Sequence, residues 1–412
     1  MNNKNFLSTL GPGILFAGAA IGTSHLVQST RAGASFGLGL LLVIVIANFI
    51  KYPFYRFGPL YTVATGNSIL QGYQSIGRWA LALLIVTELP VNIIIVAATS
   101  LVTSSIALSV FDLDVELVHL ASIFVLLAFA LISFGGYKFI DRSTKLFVGT
   151  LTVCTFVATA LTIPSVDWNL SNFALPIIDT KTLAFLLALI GFMPAGISLA
   201  IMHSIWTVEK SKESGHIAMK SEAMLDLNIG YIGSAVLAVC FLIMGAGTLY
   251  ENQIELSANP GVFAGQVISL YSKTLGAWAG VVVGVSVFAV MISTLLTTLD
   301  GFSRLHNEAL KQILSADVGD DSKANNMRVP IMALIGISAI SVLLLFMTNF
   351  RAFIDFVTIT AFIVGPVIAI LNHIVMHGKT VPENMRPSLI MSVWSITSVL
   401  FLLVLSGIYL LN

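Results

Sequence analysis

Hydrophobic runs of about 20 residues recur along the whole chain, and they constrain its fold more than any other feature. A helix needs about 20 apolar residues to cross a hydrocarbon core about 30 Å thick. Stretches such as Leu40 to Phe49 and Ser395 to Leu411 lack the charged outer face of a soluble helix. The chain is 57% hydrophobic and only 10% charged, whereas soluble domains are about 25% charged. The sequence therefore predicts an all-α membrane protein rather than a soluble multi-domain chain.

The apolar runs predict about eleven transmembrane helices in a single transmembrane domain over residues 1–412. No cleavage site follows the first run, so we expect that run to stay in the membrane. Residues 209–226 and 306–328 are predicted to be polar connections in the cytoplasm. The predicted spans are approximately 10–32, 36–57, 79–109, 118–135, 145–164, 182–207, 228–249, 276–301, 329–348, 352–376 and 388–411.

Lys and Arg residues are distributed unevenly between the two ends of the predicted spans, and cytoplasmic connections normally hold the excess. With the N-terminus in the cytoplasm, all of these residues except four fall on the cytoplasmic side. Lys51 is one of the residues on that side. An odd number of spans then puts the C-terminus outside. We expect a multi-pass protein of the cell membrane, in the inner membrane of a bacterium. The four exceptions are Arg31, Lys181, Lys273 and Arg351.

Several classes of function have no support in the sequence. No nucleophile and base constellation, nucleotide-binding glycine loop or metal-hydrolase motif appears, so the chain is not predicted to be an enzyme. A formal net charge of zero gives no nucleic-acid signal. Cys154 and Cys240 lie inside apolar runs, where cysteine usually acts as a small hydrophobic residue. We expect no cofactor, and an ion or proton gradient as the energy source.

Two apolar spans, the first and the sixth, are interrupted by residues that form helix poorly. Gly and Pro are frequent in membrane helices in general, so one such cluster would predict little. Matching interruptions five spans apart are typical of an inverted-repeat transporter, whose substrate site lies where both helices unwind near the midplane. The interrupting residues are Gly18, Gly22, Thr23 and Ser24, followed by His25, in the first span, and Gly191, Met193, Pro194 and Gly196 in the sixth.

The residues around these interruptions resemble the Nramp family of divalent metal transporters. The similar motifs are LGPGI at the start of the first span, RAGASFG at its end and the Met-Pro pair of the sixth. The resemblance implies a LeuT-type fold with discontinuous helices 1 and 6. Two inverted five-helix repeats would cover about residues 9–164 and 182–376, and an extra helix about residues 388–411. It also implies a monomer that imports manganese or ferrous iron together with protons.

The metal-binding signature of that family is altered in this chain. Aligned without gaps, the family's Asp-Pro-Gly-Asn falls on Gly22, Thr23, Ser24 and His25, and its Met-Pro-His falls on Met193, Pro194 and Ala195. The family's Asp is therefore replaced by Gly22, although a divalent cation at the midplane needs strong compensation that a carboxylate usually provides.

We predict a substrate site at the aligned positions, with His25 and Met193 as metal ligands. Imidazole suits zinc, copper, iron and nickel, and a thioether suits copper(I), so both side chains could hold a soft or borderline metal. Each also has an alternative role, His25 as a hydrogen-bond partner between helices and Met193 in core packing. The predicted substrate-binding residues are Gly22, Thr23, Ser24, His25, Met193 and Ala195.

Other ionisable residues inside the spans are candidates for ion coupling, because such residues are usually functional or paired. Glu88 lies in the third span, near the position where the family keeps an acidic residue that resembles part of its proton path. His203 lies toward the cytoplasmic end of the sixth span. We predict that both take part in proton or ion coupling. Asp300 and Arg304 are one turn apart and fit a local ion pair. Arg31 would oppose cation entry and favour an anionic group.

Three functions remain open from the sequence. The first is an Nramp-like secondary transporter that moves a metal cation with protons through the altered site. The second keeps the fold but carries a small organic or anionic solute, held by half-helix N-termini and by hydroxyls such as those of Thr23 and Ser24. The third is a membrane sensor that transports nothing. The expected partners are a metal ion or small solute, protons and the lipid bilayer, without nucleic acid.

Overall fold

The structure is a computed structural model that describes residues 11–22, 24–134, 137–257, 259–318 and 327–411, the side chains of 137–145 and 315–318 excepted. Thr23, one of the predicted site residues, lies outside the described residues. Throughout the described ranges the chain folds into helices joined by short connections, and no strand occurs there. The predicted all-α class is confirmed.

Fifteen α-helices are described. Two π-helical segments, Ser24–Ser29 before α2 and Ala246–Tyr250 after α10, accompany them. The α-helices are α1 (Pro12–Ala20), α2 (Thr30–Phe36), α3 (Leu41–Thr65), α4 (Ile69–Ile76), α5 (Arg78–Phe111), α6 (Leu117–Ser133), α7 (Tyr137–Thr162), α8 (Thr180–Gly191), α9 (Leu199–Ser214), α10 (Lys220–Gly245), α11 (Pro260–Leu275), α12 (Ala277–Val318), α13 (Arg328–Phe346), α14 (Phe350–Met376) and α15 (Leu389–Leu411).

Eight helices in the described ranges are long and apolar enough to cross a membrane. The helix α6 is apolar but shorter, and the predicted spans 1 and 6 are each divided into two pieces. The multi-pass membrane architecture is therefore confirmed, while the number of eleven spans stays a prediction.

Both predicted helix interruptions are present. The helix α1 ends at Ala20, and the chain becomes helical again at Ser24, first as a π-helix. The helix α8 ends at Gly191 and α9 begins at Leu199, so residues 192–198 separate two half-helices. We call the interruption between the end of α1 at Ala20 and the π-helix at Ser24 break 1, and residues 192–198 break 6. At a helix end, some of the backbone groups have no partner within the helix and can bind other groups.

Small residues bring the two halves of span 1 against the backbone of α10. A Cβ atom added to Gly13 would lie 2.0 Å from the carbonyl oxygen of Asp226, and one added to Gly33 would lie 2.0 Å from that of Leu242. A Cβ on Gly230 would lie 2.2 Å from the Gly13 oxygen. Such close approach requires glycine, as at many membrane helix interfaces. The packing fixes span 1, and with it break 1, against α10.

One sequence prediction about a polar segment is wrong. Residues 306–318 are part of α12 rather than a polar connection, because buried Leu305 and Ala309 and the hydrogen bond from Gln312 to Glu308 continue the helical pattern beyond the apolar run. Lys51, which lies within predicted span 36–57 and was assigned to the cytoplasmic side from the charge distribution, lies inside α3 with 1% of its surface exposed, and its side of the membrane stays a prediction. Its amine finds hydrogen-bond acceptors at break 6, as described below.

Candidate functional site

A cavity of about 40 Å³ lies between break 1 and break 6. The helices α5 and α12 close its sides, and the first turn of α9 contributes to its wall. Of the predicted site residues, Ser24 and Ala195 reach this wall. The complete lining is Ala19, Ala20, Ser24, Ile95, Thr99, Phe192, Ala195, Gly196, Ser198, Leu199, Met202, Thr294, Thr298 and Phe302.

The cavity wall offers neutral ligands only. Its side-chain oxygens are all hydroxyls, and its one sulfur is the thioether of Met202. No cluster of three or more His, Cys, Asp or Glu residues that could hold a metal ion occurs among the residues that the structure describes. An ion in this cavity would therefore be coordinated by hydroxyl or carbonyl oxygens and by a thioether, a set that suits soft and borderline metals better than magnesium.

Thr294 packs against Gly22, the position on which the sequence alignment places the family's aspartate. A Cβ atom added to Gly22 would lie 2.9 Å from the Thr294 Cγ2 atom. The Thr294 hydroxyl donates a hydrogen bond of 3.0 Å to the carbonyl oxygen of Gly18, which ties α12 to span 1. The side chain of Thr294 thus leaves little room for a larger residue at position 22. Sequence reasoning missed Thr294, which is 272 positions from Gly22 along the chain.

His25 is buried at break 1, and each of its ring nitrogens has a backbone partner. Nδ1 lies 2.7 Å from the carbonyl oxygen of Ala20 and 2.6 Å from the Ser24 hydroxyl. Nε2 lies 2.8 Å from the carbonyl oxygen of Ser234 on α10. His25 is not among the residues that line the cavity. The ring joins two helices in this conformation, and its role as a metal ligand stays a prediction that requires it to leave these partners.

Met193 is also buried outside the cavity wall. Its sulfur accepts a 3.9 Å hydrogen bond from the Ser29 hydroxyl. The thioether that does line the cavity belongs to Met202, in the first turn of α9. Its position directly after the interrupted segment is the sequence signal that could have identified it. Met193 as a metal ligand remains a prediction, and Met202 is a second candidate.

Two side chains of α3 bind carbonyl oxygens at the end of α8 and within break 6. The Lys51 amine donates to the oxygens of Gly191, at 2.7 Å, and Ala195, at 3.2 Å. The Tyr55 hydroxyl lies 2.7 Å from the Ala195 oxygen and 2.8 Å from that of Gly196. Break 6 is thereby held open by α3 rather than closed into a helix.

Glu88 lies on α5 with 2% of its surface exposed, and its Oε2 atom has no hydrogen-bond partner. The Ser198 hydroxyl, which belongs to the cavity wall, lies beside the Glu88 carboxyl group. The hydroxyls of Tyr55 and Tyr73 interact with it electrostatically. A buried carboxyl group next to the wall of a cavity is suited to exchange a proton with it.

His203 lies at one end of the bundle, beside the contact that holds the N-terminus of α1. The Asp226 carboxylate accepts hydrogen bonds from the backbone N–H groups of Gly11, at 3.1 Å, and Gly13, at 2.7 Å. The His203 Nε2 atom lies 3.7 Å from the same carboxylate. A carboxylate at a helix N-terminus is favoured by the helix dipole. We call this end of the bundle the Asp226 end; sequence reasoning missed the role of Asp226.

At the opposite end, which we call the Arg31 end, a salt bridge joins span 1 to α14. The two guanidinium N–H groups of Arg31 donate to the two Asp355 carboxylate oxygens, at 2.6 and 3.1 Å. The guanidinium also lies 4.9 Å from the centre of the Phe185 ring on α8. Because its charge is already paired, Arg31 gives no argument for an anionic substrate. A polar vestibule of about 700 Å³ lies on this side.

The predicted ion pair of Asp300 and Arg304 is confirmed, with 2.7 Å between Arg304 Nε and Asp300 Oδ2. It is part of a larger network, because Arg304 also binds Glu209 on α9 and Asp300 also binds Arg328 on α13. The network is a charge-paired connection between three helices. Span 1 is held at both ends, by Asp226 at one and by Asp355 at the other.

Comparisons with known proteins agree with this geometry. The family model described as natural resistance-associated macrophage protein-like, Nramp, matches residues 13–412. An uncharacterized protein of Pasteurella multocida is 31% identical over 387 residues, covering 90% of this chain and 86% of that protein. The divalent metal cation transporter MntH of Staphylococcus aureus is 28% identical over 329 residues, covering 74% of this chain and 71% of that one.

Among solved structures, a variant of the manganese transporter of Eremococcus coleocola is similar to this chain. The TM-score is 0.72 at 16% identity, and the match covers 98% of this chain and 86% of that one. At this level of identity the likeness shows the fold, and the expected LeuT-type fold is confirmed.

Proposed function

Because this chain belongs to the Nramp family, we propose that it is a secondary active transporter that carries a divalent metal cation through the cavity between break 1 and break 6. The observation that carries the proposal is the position of this cavity, whose wall includes Ser24 from one interrupted helix and Ala195 from the other. Transporters of this architecture bind their substrates where two discontinuous helices face each other. The chain is a multi-pass membrane transporter and not an enzyme.

The size of the cavity favours an ion over an organic solute. Sites for small organic ligands typically have volumes of about 300–1,000 Å³, whereas this cavity has about 40 Å³. A space of that volume admits one or two water molecules or a largely dehydrated ion. The organic-solute alternative is therefore not favoured in the conformation described.

We propose manganese as the first metal to test. The S. aureus relative is named for divalent metal cations and the structurally similar protein of E. coleocola for manganese. Neutral oxygen ligands and a thioether can hold such an ion, although without the charge compensation of a carboxylate. We further propose that Glu88 and His203 carry the protons that drive transport, Glu88 beside the cavity and His203 beside Asp226.

We propose a monomer in a bacterial inner membrane. The distribution of Lys and Arg supports an orientation with the N-terminus in the cytoplasm and the C-terminus outside. We also propose two inverted repeats over about residues 9–164 and 182–376, followed by an extra helix over 388–411. The presence of interruptions in both span 1 and span 6 supports this division.

Uptake into proteoliposomes tests the proposed function. Vesicles containing the purified chain and given an inwardly directed proton gradient should accumulate Mn²⁺, and Cd²⁺ should compete better than Mg²⁺ because the wall contains a thioether. The comparison is with protein-free vesicles carrying the same gradient. Absence of uptake for every divalent cation tried, by protein that elutes as a single sharp peak, would contradict the proposal.

Replacing Met202 by leucine should weaken competition by Cd²⁺ more than it affects Mn²⁺ uptake. Leucine keeps the volume of the side chain but removes the sulfur, the only soft ligand on the described cavity wall. We expect the Cd²⁺ concentration for half-inhibition to rise by about tenfold, equivalent to one good metal–ligand interaction of about 1.4 kcal/mol. Competition curves on matched vesicle preparations measure the effect.

The matched control is Met193→Leu, which removes a thioether outside the wall. This variant should leave Cd²⁺ competition within about twofold of the unmodified chain. If Met193→Leu weakens Cd²⁺ competition and Met202→Leu does not, the ligand is Met193, as the sequence alignment predicts.

A further inference from the structure

Lys51 is a buried basic side chain that has no role in the transport proposed above. It lies in the middle of α3, and 1% of its surface is exposed. Its amine donates to two backbone carbonyl oxygens, and no carboxylate of the described residues lies within 4.0 Å of it. Lysine is almost never fully buried without a partner of opposite charge, because desolvating its amine is costly.

The end of α8 compensates for this cost. Gly191 is the last residue of α8, and its carbonyl oxygen accepts the 2.7 Å hydrogen bond from Lys51. A helix C-terminus has a partial negative charge of about half an electron, and its last carbonyl groups have no partner within the helix. The half-helix α8 therefore supplies one acceptor and the negative potential that a buried amine needs, and Ala195 of break 6 supplies the second acceptor.

The same interaction removes ligands from the candidate metal site. In transporters with discontinuous helices, the unwound carbonyl groups coordinate the transported cation or its coupling ion. Here the oxygens of Gly191 and Ala195 are occupied by the Lys51 amine. Ala195 is also part of the cavity wall. The Lys51 amine thus contacts the backbone of a residue of the cavity wall, and charges of the same sign repel strongly where water is excluded.

We propose that Lys51 is a tethered cation at break 6, one that occupies the carbonyl ligands and determines how tightly the cavity binds a divalent metal. This inference rests on the proposed function, since it concerns metal binding in the same cavity. By repelling the cargo and holding its ligands, Lys51 weakens the site and keeps the ion able to leave it. Lys51 therefore determines the metal affinity of the cavity, whereas a residue that only caps the end of α8 would leave that affinity unchanged.

Neutral replacements of Lys51 test this inference. Lys51→Gln keeps a hydrogen-bond donor and removes the charge, and Lys51→Met keeps the length and removes both. Titration of the purified full chain with Mn²⁺ in a calorimeter should give dissociation constants at least about tenfold lower for either variant, because a repulsive charge is gone. Thermal unfolding of each sample identifies variants that are folded. Lys273→Gln, at an exposed position of α11, is the control and should bind Mn²⁺ like the unmodified chain.

The outcomes separate this inference from the proposed function. Equal affinity of the unmodified chain and a folded neutral variant overturns the role of Lys51, including the case in which neither binds Mn²⁺. The proposed function is tested separately, by measuring Mn²⁺ uptake into vesicles that contain the unmodified chain. Tighter Mn²⁺ binding by Lys51→Gln, without uptake by the unmodified chain, supports the role of Lys51 and contradicts the proposed transport. Uptake by the unmodified chain, with equal affinities for the two proteins, contradicts only the proposed role of Lys51.

Discussion

Gly230→Ala should reduce Mn²⁺ uptake by at least about tenfold and lower the thermal stability of the protein. The added Cβ atom would lie 2.2 Å from the carbonyl oxygen of Gly13, so α1 and α10 could not keep their present separation. Overpacking of this kind typically costs about 1–3 kcal/mol. Moving α1 outward would also strain the hydrogen bonds from Gly11 and Gly13 to Asp226. Uptake assays and thermal unfolding of the same preparation measure both effects.

Gly233→Ala provides a matched control on the same helix. Nothing lies within 4 Å of a Cβ atom built at Gly233, three residues from Gly230. Alanine favours helix over glycine by about 1 kcal/mol, so this variant should be as stable as the unmodified chain or more so, with unchanged uptake. Normal uptake by Gly230→Ala would show that the close packing of α1 on α10 is not needed for transport.

Glu88→Gln should reduce proton-driven Mn²⁺ uptake by at least about tenfold, while Mn²⁺ binding changes little. Glutamine has nearly the same shape as glutamic acid but cannot take up or release a proton. Glu88 is buried, lies beside the cavity residue Ser198 and has an unpaired carboxyl oxygen. Uptake is measured with and without a proton gradient, and binding by calorimetry.

The control for this experiment is Glu213→Gln, which neutralises an exposed carboxylate at the end of α9. This variant should keep full uptake, because a solvated surface charge contributes little to folding or transport. If Glu88→Gln retained a response to the proton gradient, proton transfer would have to be assigned to another group, with His203 as the next candidate.

The sequence was sufficient for the features that depend on neighbouring residues. Clusters of Gly and Pro predicted both helix breaks, since these residues lower helix stability locally. The pairing of Asp300 with Arg304 followed from their spacing of one helical turn, and the structure confirms it. Glu88 was identified because a carboxylate within an apolar run is uncommon in itself.

Features that depend on distant residues could not be predicted in this way. The partner of His25 on α10 is 209 positions away along the chain, and the partners of Lys51 are 140 and 144 positions away. The charge distribution assigned Lys51 only to a side of the membrane, because that rule contains no information about acceptors at a helix break. Met202 was overlooked for a related reason, since the alignment considered only the residues of the family's motif.

The central claim is that the divalent metal binds in the cavity between break 1 and break 6. Anomalous diffraction from crystals of the unmodified chain soaked in MnCl₂ tests it most directly. We expect a strong anomalous peak for Mn²⁺ in this cavity, between Ser24, Ala195 and Met202. A peak only in the vestibule at the Arg31 end, near Glu251 and Glu255, with none in the cavity, would contradict it.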